Sequence, residues 1–79
     1  MNARDQERLR RLCAEIVGVE PEDLDADTDF IEDLNIDRDD LADLFVVVED
    51  AFDISLEDGM RSIRTFEDLE AMVDDLIPA

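Results

Sequence analysis

The sequence predicts an all-α domain spanning residues 1–79: a four-helix bundle of three long helices, one short one and a long first loop. Three observations predict it. Apolar residues recur at helical spacing in three separate stretches, 3–17, 38–53 and from residue 65 to the end of the chain. Between the first two the period disappears, and Pro21 with the aspartates that follow it marks a loop over 19–36. The chain is 46% hydrophobic, ample for a core in 79 residues despite the charge it carries.

The first helix, 3–17, shows a stripe of Leu9, Leu12 and Ile16 widened by Cys13 and Val17. Arg4, Arg8, Arg10 and Arg11 occupy its other faces, where they are expected to offset part of the acidic surface. Gly18 stands where a left-handed C-terminal cap belongs. The loop that follows is long for a small domain, and such loops carry function or hold themselves by anchors of their own. Leu24, Phe30 and Leu34 are the expected anchors, with a helical turn near 29–33.

The central helix, 38–53, is the best signalled. Leu41, Leu44, Phe45, Val48 and Phe52 fall at i, i+3, i+4, i+7 and i+11, and Asp39, Asp40, Asp43, Glu49, Asp50 and Asp53 take the remaining surface. Asp37 is placed to cap the first turn with its side chain, and the acids at 39 and 40 suit the helix's positive end. The run Val46-Val47-Val48 opposes a helix locally, but the longer period outweighs it. A short turn is expected from Leu56 to Met60, ended near Gly59. The last helix begins at Thr65, which with Asp68 has capping-box spacing. Phe66, Leu69, Met72 or Val73, and Leu76 form its stripe, and Pro78 stops it.

The net charge is −18, from 25 acids against seven arginines and no lysine. That charge excludes duplex nucleic acid, which needs clustered cations, and favours a basic protein surface or divalent metal. One cysteine fits a reducing compartment, no apolar run approaches membrane-spanning length, and the first residues are not signal-like. We therefore expect a cytoplasmic monomer without a membrane partner. There is no histidine, lysine, tyrosine or Gly-rich phosphate loop, so the usual catalytic sets are missing and an enzyme is not expected. Asp25, Asp27 and Asp29 invite a calcium reading, but Phe30 and Ile36 stand where an EF-hand loop needs glycine and glutamate. No metal site is expected there, and an acidic, metal-buffering protein has only composition behind it. Cys13 has no second cysteine or histidine beside which to act and reads as a structural thiol.

From Phe30 to Ile54 the chain resembles the acyl carrier proteins. That family shows Asp-Leu-Gly-x-Asp-Ser-Leu opening an acidic second helix that ends in Glu-Glu-x-Phe-x-Ile. Here the text is Asp33-Leu34-Asn35-Ile36-Asp37-Arg38-Asp39, ending Glu49-Asp50-Ala51-Phe52-Asp53-Ile54. The resemblance implies a four-helix bundle and docking through the second helix to a synthase or transferase component. It also implies a 4′-phosphopantetheine on the serine after the aspartate, and there the chain departs, because Arg38 has no hydroxyl. No serine or threonine occurs between Asp29 and Ile54, Asp39 stands for the family's leucine, and Asn35 for its glycine.

The expected function is thus a non-carrying interaction or regulatory module with no phosphopantetheine. The alternative is a genuine carrier of fatty-acid or polyketide type with an unrecognised attachment site, Ser55 and Ser62 being the serines that exist. The expected docking residues are Asp37, Arg38, Asp39, Asp40, Asp43, Glu49 and Asp50, with Val46 and Val47 between them. Arg38 is expected either to neutralise Asp37 and Asp40 or to reject carrier-specific enzymes. Phe30, Phe45, Phe52 and Phe66 are expected to fill the core and leave no cavity able to hold an acyl chain.

Overall fold

A computed structural model describes residues 2–56 and 59–77. Three α-helices, α1 (Ala3–Val17), α2 (Arg38–Phe52) and α3 (Phe66–Leu76), alternate with two single 3-10 turns at Pro21–Asp23 and Met60–Ser62. The architecture is the expected all-α one. In the expected short turn from Leu56 to Met60, Leu56 O accepts from the amides of Gly59 and Met60 at 2.8 and 3.0 Å; residues 57 and 58 lie outside the described residues, and a three-residue turn follows at Met60–Ser62. Gly59 stands near the end of the first of these turns and just before the second. Its φ is −86°, so its value is space: a Cβ there would come 2.5 Å from the Met72 side chain.

Both ends of α1 are satisfied locally. The Asn2 side chain accepts from the Asp5 amide at 2.8 Å, and Gly18, at φ 85°, donates to Ala14 O at 2.8 Å. The helix buries Leu9, Cys13 and Ala14, with Leu12 and Val17 half-buried. Ile16, expected in the buried stripe, is 41% exposed and lines a hollow between the end of α1 and α2. The arginines of α1 also act differently from expectation. Arg11 pairs with Glu7 at 2.9 Å, but Arg8 donates to Ala51 O at 3.0 Å and lies over the Phe52 ring. Arg10 donates to the carbonyls of Leu24 and Pro21. Guanidinium forks thus satisfy backbone carbonyls and cover rings, and contribute little to neutralising acids.

The long loop is built on anchors. Leu24 and Phe30 are fully buried and Leu34 is half-buried. A hydrogen-bonded turn spans 30–34 and is capped at its start, since Asp29 accepts from the amides of Ile31 and Glu32 at 2.8 and 2.9 Å. The loop is then fastened to α3. Phe30 donates to Arg64 O at 2.9 Å, Phe66 to Thr28 O at 3.0 Å, and Glu67 to Ala26 O at 2.9 Å. The loop's carbonyls therefore satisfy the first amides of α3, which no turn of that helix could reach. Thr65 and Asp68 complete the cap as the expected capping box.

Phe30, Leu44, Val48, Phe66, Leu69 and Val73 belong to one core cluster, all essentially inaccessible. Each such side chain contributes about 1.5–3 kcal/mol by leaving water. Leu76 is 40% exposed and lies beyond the covered part of the α3 stripe; Pro78, the expected stop, is outside the described residues. No helix among the described residues is long and apolar enough to cross a membrane.

Candidate functional site

The loop turns into α2 through Asn35, whose φ of 55° is left-handed. Asparagine is one of the few residues other than glycine that enters this region readily. Asn35 therefore preserves the backbone that the resemblance assigns to glycine, and only Arg38 and Asp39 remain as departures in chemistry. Ile36 N–H then donates to Phe30 O at 3.1 Å and closes the turn. Asp37 follows as the N-cap with extended backbone, and its carbonyl accepts from Leu41 at 2.9 Å. Its side chain, expected to cap the helix, makes no cap hydrogen bond. The negative charge at the positive end of α2 comes from Asp39 and Asp40 in the first turn.

Arg38 is the first residue of α2 and is exposed. It makes no ion pair or hydrogen bond with the described residues, so it does not neutralise Asp37 or Asp40. Opposite the buried face, Asp39, Asp43, Val46 and Asp50 follow one another at i, i+4, i+7 and i+11 and form a single outer stripe, with Asp40 and Val47 on its flank. Val46 and Val47 are 53% and 38% exposed. Glu49 stands apart, half-buried, with its carboxylate accepting from the Leu56 amide at 2.8 Å. That bond, together with the left-handed Asp53 (φ 54°), folds the chain back after α2.

Two hollows flank the start of α2. One, of about 450 Å³, lies between the end of α1 and α2, with Ile16, Val17, Leu34, Ile36 and Leu44 inside and Asp40 and Asp43 on its lip. The other, of about 580 Å³, is a groove between α2 and the segment 60–64. Leu41, Phe45 and Ile63 form its floor, and Arg38, Arg61 and Arg64 stand around it with Glu32 and Asp37. The groove is open to solvent at the surface and is not a cavity within the core. Phe30, Phe45 and Phe66 are buried and Phe52 half-buried, so the rings do fill the bundle. The groove opens beside them, along the three-residue turn Met60–Ser62.

Arg61 and Arg64 drew no attention in the sequence because nothing local links them to a residue more than twenty positions earlier. Arg64 pairs with Asp29 and Glu32, each at 3.4 Å; Arg61 has no pair with the described residues. Asp29 belongs to this network. The amides of Glu32 and Ile31 and the Arg64 guanidinium hold its carboxyl below the usual range. Asp68 is lowered in the same way by the amides of Arg64 and Thr65. Cys13 lies far from this chemistry, and its thiol is pushed up to about 12 by burial and by the charge of Glu70.

A helical bundle whose long ordered loop delivers the chain to an exposed helix start is the form of a carrier-type domain. The chain belongs to the phosphopantetheine attachment site family (PP-binding), whose model matches residues 7–73, and within it is an acyl-carrier-protein-like member. No curated protein matches it. Domains of this family normally bear phosphopantetheine and work with synthase or transferase partners. The residues at the start of α2 do not fit that group, because a guanidinium cannot form the phosphodiester that a serine hydroxyl forms, and 30–53 contains no serine or threonine.

Proposed function

We propose that this domain acts by docking and carries no prosthetic group: an interaction or regulatory module that engages a basic protein surface through α2. The observation that carries this reading is Arg38, exposed and without a partner among the described residues, at the helix position where the family places its attachment serine. The outer stripe of Asp39, Asp43 and Asp50, with Asp40 beside it and Val46 and Val47 exposed among them, supports it. The hollow behind Asp40 and Asp43 adds an apolar floor next to the acids. A complementary partner places an aliphatic side chain in that hollow and arginine or lysine around it. In this reading Glu49 shapes the end of α2, Asp37 contributes charge only, and the domain is not an enzyme.

The test is an intact mass after incubation with coenzyme A and a broad-specificity phosphopantetheinyl transferase, beside the double variant Arg38→Ser, Asp39→Leu. The expected result is a phosphopantetheine mass on the variant alone. Modification of the native chain, at Ser55, Ser62 or elsewhere, would overturn the proposal and return the domain to the working carriers.

A further inference from the structure

We infer that the partner docked on α2 presents a helical segment of mixed charge. One end carries an aspartate or glutamate for Arg38; about two turns further on, its aliphatic side chain and bases meet Asp40 and Asp43. This rests on the docking reading above and specifies the partner's chemistry. The observation behind it is that the two flanks of α2 differ in sign. Arg38 and Asp40 are both exposed in the first turn, but two residues apart, about 200° around the axis, so they face opposite sides of the helix. On the Arg38 side, the groove along 60–64 is edged by three arginines against Glu32 and Asp37. On the Asp40 side, the hollow against α1 is edged by Asp40 and Asp43, with no cation among the described residues.

In a chain with 25 acids and seven arginines, a guanidinium has no shortage of internal partners. Arg8, Arg10, Arg11 and Arg64 use theirs, on carbonyls, rings or carboxylates. Arg4, Arg38 and Arg61 have none among the described residues, and the last two edge the same groove. Arg38 stays exposed although Asp37 and Asp39 adjoin it in the sequence. It therefore keeps its charge and its planar fork for a carboxylate from outside. A uniformly basic surface laid on α2 would set a like charge against Arg38 and lose affinity there, whereas an acid at that point pairs with it.

The spacing follows from helix dimensions. A helix with its side chains is about 10–12 Å across, so a segment crossing α2 from Arg38 to the hollow needs its acid and its bases about seven residues apart at a rise of about 1.5 Å each. The segment's own dipole sets the order, with the acid near its N-terminus and the bases near its C-terminus.

The test uses the full chain at about 0.15 M salt, where a Debye length of about 8 Å screens distant charges and leaves neighbouring ones. The probe is an alanine-based helical peptide with a glutamate near its start, a leucine about seven residues later, and arginines about one and four residues after that. Two further peptides replace the glutamate by glutamine or by arginine. The net charge of −18 by itself would rank the arginine peptide first. Calorimetry is expected to rank the glutamate peptide first, at least about threefold tighter than the glutamine peptide and about tenfold tighter than the arginine peptide. Amide shifts are expected at Arg38, Asp40 and Asp43. Arg38→Glu is expected to reverse the order, and Asp43→Asn to weaken all three peptides alike. Tightest binding of the arginine peptide to the native chain, with shifts along α2, would overturn the mixed-charge partner and leave docking through α2 standing. A glutamate preference that survives Arg38→Glu in a folded variant would remove Arg38 as the anchor and overturn the inference. Failure of all three peptides to bind saturably, or shifts confined to residues outside α2, would overturn this inference and the docking reading together.

Discussion

The guanidinium of Arg10 lies over the ring of Phe66, 5.3 Å from its centroid, while donating to the carbonyls of Leu24 and Pro21. One side chain of α1 thus ties together the first helix, the loop and the start of α3. Arg10→Ala is expected to destabilise the fold by about 1–3 kcal/mol, from the ring contact and the hydrogen bonds to a charged donor. Arg10→Lys is expected to recover only part of this, because an ammonium lacks the planar face that the guanidinium lays over the Phe66 ring. Urea unfolding of the two variants measures both effects, and equal stability of Arg10→Ala and the parent would remove the role.

Asn35 provides a test of backbone conformation at the entrance to the site. At φ 55°, Asn35→Ala is expected to cost about 1–2 kcal/mol and Asn35→Gly much less. Chemical denaturation separates them. A tolerated alanine with an unchanged α2 start would mean that the left-handed turn is not required.

The pH dependence has two limbs with opposite origins. Asp29 and Asp68 have carboxyls lowered in the fold, so they contribute stability that is complete above their unfolded pKa, near 4, and lost as pH falls through the lower folded value. Asp68→Asn is expected to flatten the acid limb in thermal melts below about pH 4. Cys13 works at the other end, being raised in the fold to about 12. Its contribution is complete below the unfolded pKa, near 9, and declines as pH rises toward 12. Cys13→Ala is expected to flatten the alkaline limb.

The same thiol reports on opening. Buried and neutral at ordinary pH, Cys13 is expected to react with alkylating reagents only through unfolding. Its labelling rate should rise with urea in step with the fraction unfolded. Fast labelling in the native buffer would contradict the burial.

Salt should stabilise this fold. With a net charge of −18 and few ion pairs among the described residues to lose, screening relieves more repulsion than attraction. We expect a gain of about 1–2 kcal/mol between 0.01 and 0.5 M sodium chloride, roughly 5–15 °C in Tm. A fall in Tm over that range would show that the arginine contacts dominate.

Much of the fold is legible in the sequence because its signals are local. The span of α1 and its glycine cap, the start of α2 after Asp37, and the capping box at Thr65 each depend on residues within a turn of one another. What escaped depends on distant chain. Periodicity identified the stripes of α1 and α3 but not where their covering elements end, so Ile16 and Leu76 are exposed. The spacing that places Asp37 at a cap does not fix its rotamer, and the helical surface of Glu49 does not reveal the Leu56 amide that its carboxylate accepts. The acidic outer stripe of the site could be read off one helix. The arginine rim could not, because Arg38, Arg61 and Arg64 meet only after the loop is bound to α3.

That binding has a dynamic consequence. Because Thr28 and Ala26 supply the acceptors for Phe66 and Glu67, and Arg64 the acceptor for Phe30, neither the loop nor α3 can loosen alone without stranding the other's backbone groups. The two are expected to behave as one cooperative unit, with the amides of Phe30, Phe66 and Glu67 exchanging with solvent at a common rate. The loop ends at Asn35–Asp37, on the edge of both hollows. Whatever grips that edge therefore raises the protection of a helix it never touches.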